Sequence, residues 1–103
     1  MHINNSKIGN DCPVFIIAEL SANHNGSLET AIETIKAAKR AGADCIKLQT
    51  YTADTITIDC DKDDFIIKGT IWEGQNLHKL YQKAYTPWEW HEKLIQVAKE
   101  EGL

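Results

Sequence analysis

The sequence has little that would hold it together covalently or anchor it in a membrane. Its three cysteines, Cys12, Cys45 and Cys60, are odd in number and widely spaced, with no CxxC pair. That fits the reduced thiols of a cytoplasmic protein better than a disulfide scaffold or a zinc site. No apolar run reaches the roughly 18 residues of a membrane span. The start, MHINNSKIGND, has no apolar stretch of the kind a secretory leader needs. Basic charge is also scarce: 11 Lys and Arg stand against 15 Asp and Glu, a net charge of −4. No cationic surface for nucleic acid or an anionic membrane is therefore expected. Dinucleotide, Walker and HExxH motifs are all missing. The acidic run DCDKDD, Asp59 to Asp64, resembles the front of a calcium loop, but Asp64 stands where the loop needs glycine and Thr70 where it needs glutamate. It reads as an exposed acidic loop. What remains is the composition of a soluble globular protein, 43% hydrophobic and 25% charged, in 103 residues, enough for one small domain at most.

The polar first twelve residues, with Ile3 and Ile8 around NNSK, predict a short hairpin or arm. Val14 to Leu20 follows as a strand, with Phe15, Ile17 and Glu19 on one face and Ile16, Ala18 and Leu20 on the other. Both faces stay apolar until the end, the pattern of a parallel strand covered on two sides. Ser27 is placed to cap a helix whose apolar stripe runs Leu28, Ala31, Ile32, Ile35, Ala38, and Gly42 is placed to stop it. A second strand is predicted from Asp44 to Tyr51, with Ile46 and Leu48 on one face and Cys45, Lys47 and Gln49 on the other. Strand, helix and strand make a βαβ unit. Residues 52 to 76 read as irregular, and Gln75 to Ala84 as a short helix. Thr86, Pro87 and Glu89 then form a capping box for a last helix that buries Trp90, Leu94, Val97 and Ala98. His78 and His91 are expected at the surface or its boundary. Trp72, Trp88 and Trp90 are expected to pack. Two parallel strands cannot close a barrel, so the chain is expected to be the N-terminal part of a longer (β/α) protein.

In such folds ligands bind beyond the C-terminal ends of the parallel strands. The polar residues gather there: Glu19, then Asn23 and His24, on one strand; Lys47 and Gln49, then Tyr51, on the other. An ammonium suits a phosphate or carboxylate ligand, and a carboxylate suits proton transfer or a sugar hydroxyl. The bland alternatives are a structural Lys47–Glu19 bridge and a His24 that belongs to the loop opening the first helix.

The stretches IAELSANHNG (17 to 26) and GADCIKLQTYTADT (42 to 55) resemble the sialic acid synthase family, whose members condense phosphoenolpyruvate with an amino sugar. The further stretch GTIWEGQNLHKLYQKAYTPWEWHEKL (69 to 94) is similar to the family's pseudaminate-forming branch. The likeness runs from about Lys7 to Leu103.

The resemblance implies an α/β fold, the N-terminal portion of a (β/α)8 barrel over residues 1 to 103. A small antifreeze-like domain would follow it in the whole enzyme. It implies a homodimer and a divalent metal, manganese for preference, held by two histidines outside this chain. It implies Glu19 as the catalytic carboxylate near the attacked carbonyl, Lys47 as a phosphoenolpyruvate ligand and Gln49 beside the acceptor sugar. Asn23, His24 and Tyr51 are implied at the rim of the substrate site. Ser21 stands where the family has glycine, a change expected to tune the sugar pocket. The chain by itself is expected to be inactive. N-acetylneuraminate or legionaminate synthesis is the alternative within the family. A non-catalytic fragment that binds an anionic ligand or a partner is the alternative outside it.

Overall fold

Short local signals build each element, and long-range pairing then trims them. The computed structural model describes residues 1–103. The polar start forms a two-stranded antiparallel hairpin, β1 (His2–Ile3) with β2 (Ser6–Lys7), His2 opposite Lys7. Asn4, at φ 50°, makes the turn in a left-handed conformation that asparagine tolerates. The expected hairpin is present.

The βαβ unit is β3 (Ile17–Ser21), α1 (Leu28–Arg40) and β4 (Cys45–Leu48). β3 and β4 pair in parallel, with Ile17 opposite Cys45, Ala18 opposite Ile46 and Glu19 opposite Lys47. The Ser27 side chain accepts the Thr30 N–H at 3.2 Å and opens α1. Gly42, at φ 95°, closes it, since a left-handed exit is easiest for a residue without Cβ.

Both strands are shorter than the sequence predicts. Val14 to Ile16 and Gln49 to Tyr51 lie outside them, and Val14 is 82% exposed. An apolar run signals burial, but a strand needs a partner ladder. Ahead of Ile17 a side chain replaces that ladder: Asp44 Oδ2 accepts the Ile16 N–H at 2.8 Å, and the Ile16 carbonyl accepts from Asp44 and Cys45.

The stretch expected to be irregular contains α2 (Ala53–Ile56), opened where the Thr52 N–H donates to Thr55 Oγ1 at 2.9 Å, and a 3-10 turn at Asp63–Phe65. α3 (Leu77–Ala84) starts at Asn76, whose side chain accepts the Lys79 N–H. A 3-10 turn, Trp88–Trp90, then leads into α4 (His91–Glu100). The capping box expected at Thr86 is not formed. Pro87 holds the cap position, and Thr86 is buried with its hydroxyl engaged elsewhere. His78 is also buried, not at the boundary, and its Nε2 lies 2.7 Å from Asp54 Oδ1. Of the three tryptophans expected to pack, Trp72 and Trp88 are exposed.

The core lies on one face of the strand pair. Leu20, Ala31 and Ile35 pack with Leu94, Val97 and Ala98, and Ile46 and Leu48 close in beside them. α1 and α4 therefore cover the face of Ala18, Leu20, Ile46 and Leu48. The opposite face, with Ile17, Glu19 and Lys47, stays open, and Ile17 is 50% exposed. The radius of gyration is 16.6 Å, against about 13 Å for a compact domain of this length. No helix is long and apolar enough to cross a membrane.

Candidate active site at the strand ends

The parallel register decides what period-two alternation left open. Glu19 and Lys47 are direct neighbours across β3 and β4, and Lys47 Nζ lies 2.9 Å from Glu19 Oε1. The side chains are 57% and 53% exposed, so the pair contributes only about 0–1 kcal/mol to stability. An ion pair that adds so little to the fold keeps its charges available: the ammonium has further N–H donors and the carboxylate further lone pairs. Gln49 lies just beyond β4 and is exposed.

Immediately after Glu19 the ladder shifts. Leu20 and Ser21 together oppose Leu48, a β-bulge. It keeps Leu20 in the core, 1% exposed, while turning the chain away from the sheet. Ser21 carries the strain at φ 51°, worth roughly 1 kcal/mol for a residue with Cβ. The glycine that the resemblance implies at this position would have a backbone reason. Ser21→Gly is expected to change stability by less than about 1 kcal/mol, because relieved strain offsets added chain entropy. Ser21→Val is expected to destabilise by about 2 kcal/mol, since a β-branched residue fits poorly at positive φ. Urea denaturation of the three proteins checks both.

The residues expected at the rim separate into two groups. Asn23 is exposed, donates to the Leu20 carbonyl at 3.2 Å, and lines a cleft of about 480 Å3 with Asn25, Trp72, Gln75 and Lys83. That volume is within the range of small-molecule sites. His24 is not at a rim. It is fully buried, and further chain can only add cover. Its Nδ1 accepts the Gly26 N–H at 3.1 Å, so the ring proton is on Nε2, which donates to Thr86 Oγ1 at 3.1 Å. The ring also meets Trp90 edge to face, with centroids 5.1 Å apart. Burial lowers the His24 pKa below its ordinary value, which keeps the imidazole neutral. Tyr51 is 7% exposed and packs edge to face on Tyr81. Burial first, and Tyr81 second, raise its pKa.

Sequence reasoning missed Thr86 and Thr50 as partners of histidines. Nothing local marks them, because each bond spans more than forty residues: Thr50 Oγ1 lies 2.6 Å from His91 Nε2. Three of the four histidines, His24, His78 and His91, have side-chain partners, and no three His, Cys, Asp or Glu side chains gather anywhere.

Parallel strands backed by helices on one face, with charged residues at their C-terminal ends on the other, define the class of (β/α)-barrel proteins. The solved N-acetylneuraminic acid synthetase of Leptospira borgpetersenii superposes on the whole chain with a TM-score of 0.75 at 26% identity, over 31% of its own length. The fold is α/β, part of a (β/α)8 barrel. The NeuB family profile matches residues 34–103, and the chain belongs to the NeuB family. The pseudaminic acid synthase of Campylobacter jejuni is 58% identical over 100 residues, which is 94% of this chain and 29% of that protein. The pseudaminic acid synthase of Helicobacter pylori is 52% identical over 91 residues, 88% of this chain and 27% of that protein. The chain thus spans less than a third of the length of these relatives.

Proposed function

We propose that the chain supplies the donor-binding strand ends of a pseudaminic acid synthase, which joins phosphoenolpyruvate to a 6-deoxy diacetamido sugar and releases phosphate. The observation that carries this reading is the Glu19–Lys47 pair, side by side on the open face and largely unneeded for stability. Two named pseudaminic acid synthases among the relatives favour this acceptor over N-acetylmannosamine.

Lys47 holds the anionic donor through its phosphate or carboxylate oxygens. C3 of the enol forms a bond to the aldehyde carbon of the open-chain sugar, whose oxygen takes a proton. Positive charge then develops at C2, and the Glu19 carboxylate, aimed at the same space, stabilises it. Water adds to C2 and loses a proton, and the C–O bond to phosphate breaks. Gln49 and Asn23 offer amides to the acceptor. The assembled enzyme is a cytoplasmic homodimer in this reading. A divalent metal, manganese for preference, would supply a Lewis acid to polarise the aldehyde, with its ligands expected from outside this chain.

The test is a chimera in which residues 1–103 replace the matched segment of the Campylobacter jejuni synthase. Condensation activity is expected there, and at least about tenfold less when the same segment is set in the Leptospira synthetase and assayed with N-acetylmannosamine. The reverse ranking overturns the pseudaminate assignment. A folded chimera that consumes no phosphoenolpyruvate in either frame overturns the synthase reading. The 103-residue chain alone is expected to form no product.

A further inference from the structure

The segment that opens α4 does more than start a helix. Thr86, 1% exposed, accepts the His24 Nε2–H and gives its own hydroxyl hydrogen to the Ser21 carbonyl, 3.4 Å away. A few residues on, His91 Nδ1 lies 3.3 and 3.2 Å from the carbonyls of Pro87 and Trp88. Carbonyls only accept, so Nδ1 carries the proton and Nε2 accepts from the Thr50 hydroxyl at 2.6 Å. Ser21 lies two residues past Glu19, and Thr50 directly follows Gln49.

The strand ladder stops at Ser21 and Leu48. Beyond it the loops carrying Asn23 and Gln49 run free of the sheet, and these two threonine–histidine bonds tie both of them to one segment. A helix start alone requires neither. An ordinary capping threonine satisfies its own helix, whereas Thr86 reaches a bulge and a histidine more than sixty residues away.

We propose that Thr86 and His91 are positioning residues that clamp the ends of β3 and β4, Thr86 through His24 and the Ser21 carbonyl and His91 through Thr50, and so set where Glu19 and Gln49 meet the substrates. The inference rests on the synthase reading above. Displacement of a reacting group by an ångström can cost about a hundredfold in rate, so such a clamp acts on catalysis well beyond its share of stability.

The experiment uses the Campylobacter-frame chimera. Thr50→Val removes the hydroxyl. His91→Asn keeps a donor near the Nδ1 position but loses the acceptor at Nε2, whereas His91→Gln restores an acceptor there. Thr50→Val and His91→Asn are each expected to raise the acceptor KM about tenfold, the size of one hydrogen bond, with the phosphoenolpyruvate KM within about twofold. The double variant is expected to be no worse than either single one, because both break the same bond. His91→Gln is expected to recover most of the loss. Thr86→Val is expected to lower kcat about tenfold, and Thr86→Ser to restore it. Amide exchange at Gln49 to Thr52 is expected to quicken about tenfold in Thr50→Val and His91→Asn, and not in His91→Gln. Equal rises in both KM values, additive losses, a His91→Gln variant no better than His91→Asn, or unchanged exchange would each overturn the clamp. A parent chimera that folds but forms no product defeats the synthase reading alone, and the exchange rates still decide the clamp.

Discussion

Lys47→Ala in the chimera is expected to lower kcat/KM for phosphoenolpyruvate by about a hundredfold to a thousandfold, or about 3–4 kcal/mol. The reasoning starts from the register that sets Lys47 against Glu19. Their ion pair is more than half exposed in this chain, so its loss removes about 1 kcal/mol at most from the fold. In the proposed enzyme the same ammonium would face a donor with carboxylate and phosphate groups and make charge-assisted hydrogen bonds, stronger wherever the completed site excludes water. Function should therefore fall much further than stability. Lys47→Arg keeps the charge but presents a planar fork in place of a compact point charge, and is expected to recover only part of the loss. Glu19→Gln keeps the shape, frees Lys47 of its carboxylate partner, and is expected to lower kcat while the KM for phosphoenolpyruvate holds or falls. Steady-state kinetics with each substrate varied, beside thermal unfolding, separate the possibilities. A Lys47→Ala enzyme with an unchanged phosphoenolpyruvate KM and a sharply lowered midpoint would show a structural bridge and no donor ligand.

Legibility in the sequence followed the range of the interaction. Ser27 and Gly42 bracket α1 as expected, because each acts within one turn of its own helix. The faces of the strands were legible too: the alternation of Ile46, Lys47 and Leu48 needs no partner to be read. That Lys47 lies against Glu19 was legible only as one alternative, because the register that sets it belongs to the pair of strands. Strand ends failed for the same reason, since Val14 and Ile16 carry strand-like side chains but find no second ladder. Thr86 was misread because a capping threonine and a buried network threonine look alike before proline, and only the fold brings His24 to it. His24 reads as an exposed loop residue because polar residues cluster after Glu19; its burial against Trp90 comes from a segment far along the chain. Ser21 gave a partial signal. A residue standing in place of glycine hinted at unusual backbone, and the positive φ supplies the reason.

His24→Leu is expected to destabilise the folded chimera by about 3 kcal/mol near neutral pH. The Gly26 N–H loses its acceptor in a partly buried turn and the Thr86 hydroxyl loses a donor in the core, at about 1–3 kcal/mol for each buried group left short. The edge contact with Trp90 goes too, worth about 0.5–1.5 kcal/mol, while the added leucine surface offsets part of the sum. The penalty is expected to depend on pH, and the sign follows from burial. The folded His24 has a lowered pKa, whereas the unfolded chain takes up its proton near the ordinary value of about 6.5. Above that pH neither state binds the proton, and the full contribution of the neutral ring is present. As pH falls from there toward the folded pKa, only the unfolded state gains a proton, and stability drops by up to about 1.4 kcal/mol per pH unit. The leucine variant lacks this linkage. Its unfolding free energy should therefore approach that of the parent as pH falls from 8 toward 5, on the order of one to two pH units below the unfolded value. Urea titrations at several pH values read the gap directly. A gap that stays constant would mean that folding leaves the His24 pKa unshifted, and one that widens in acid would mean that the folded state holds the second proton, in which case Nδ1 could not accept the Gly26 N–H while the bond to Thr86 would stand.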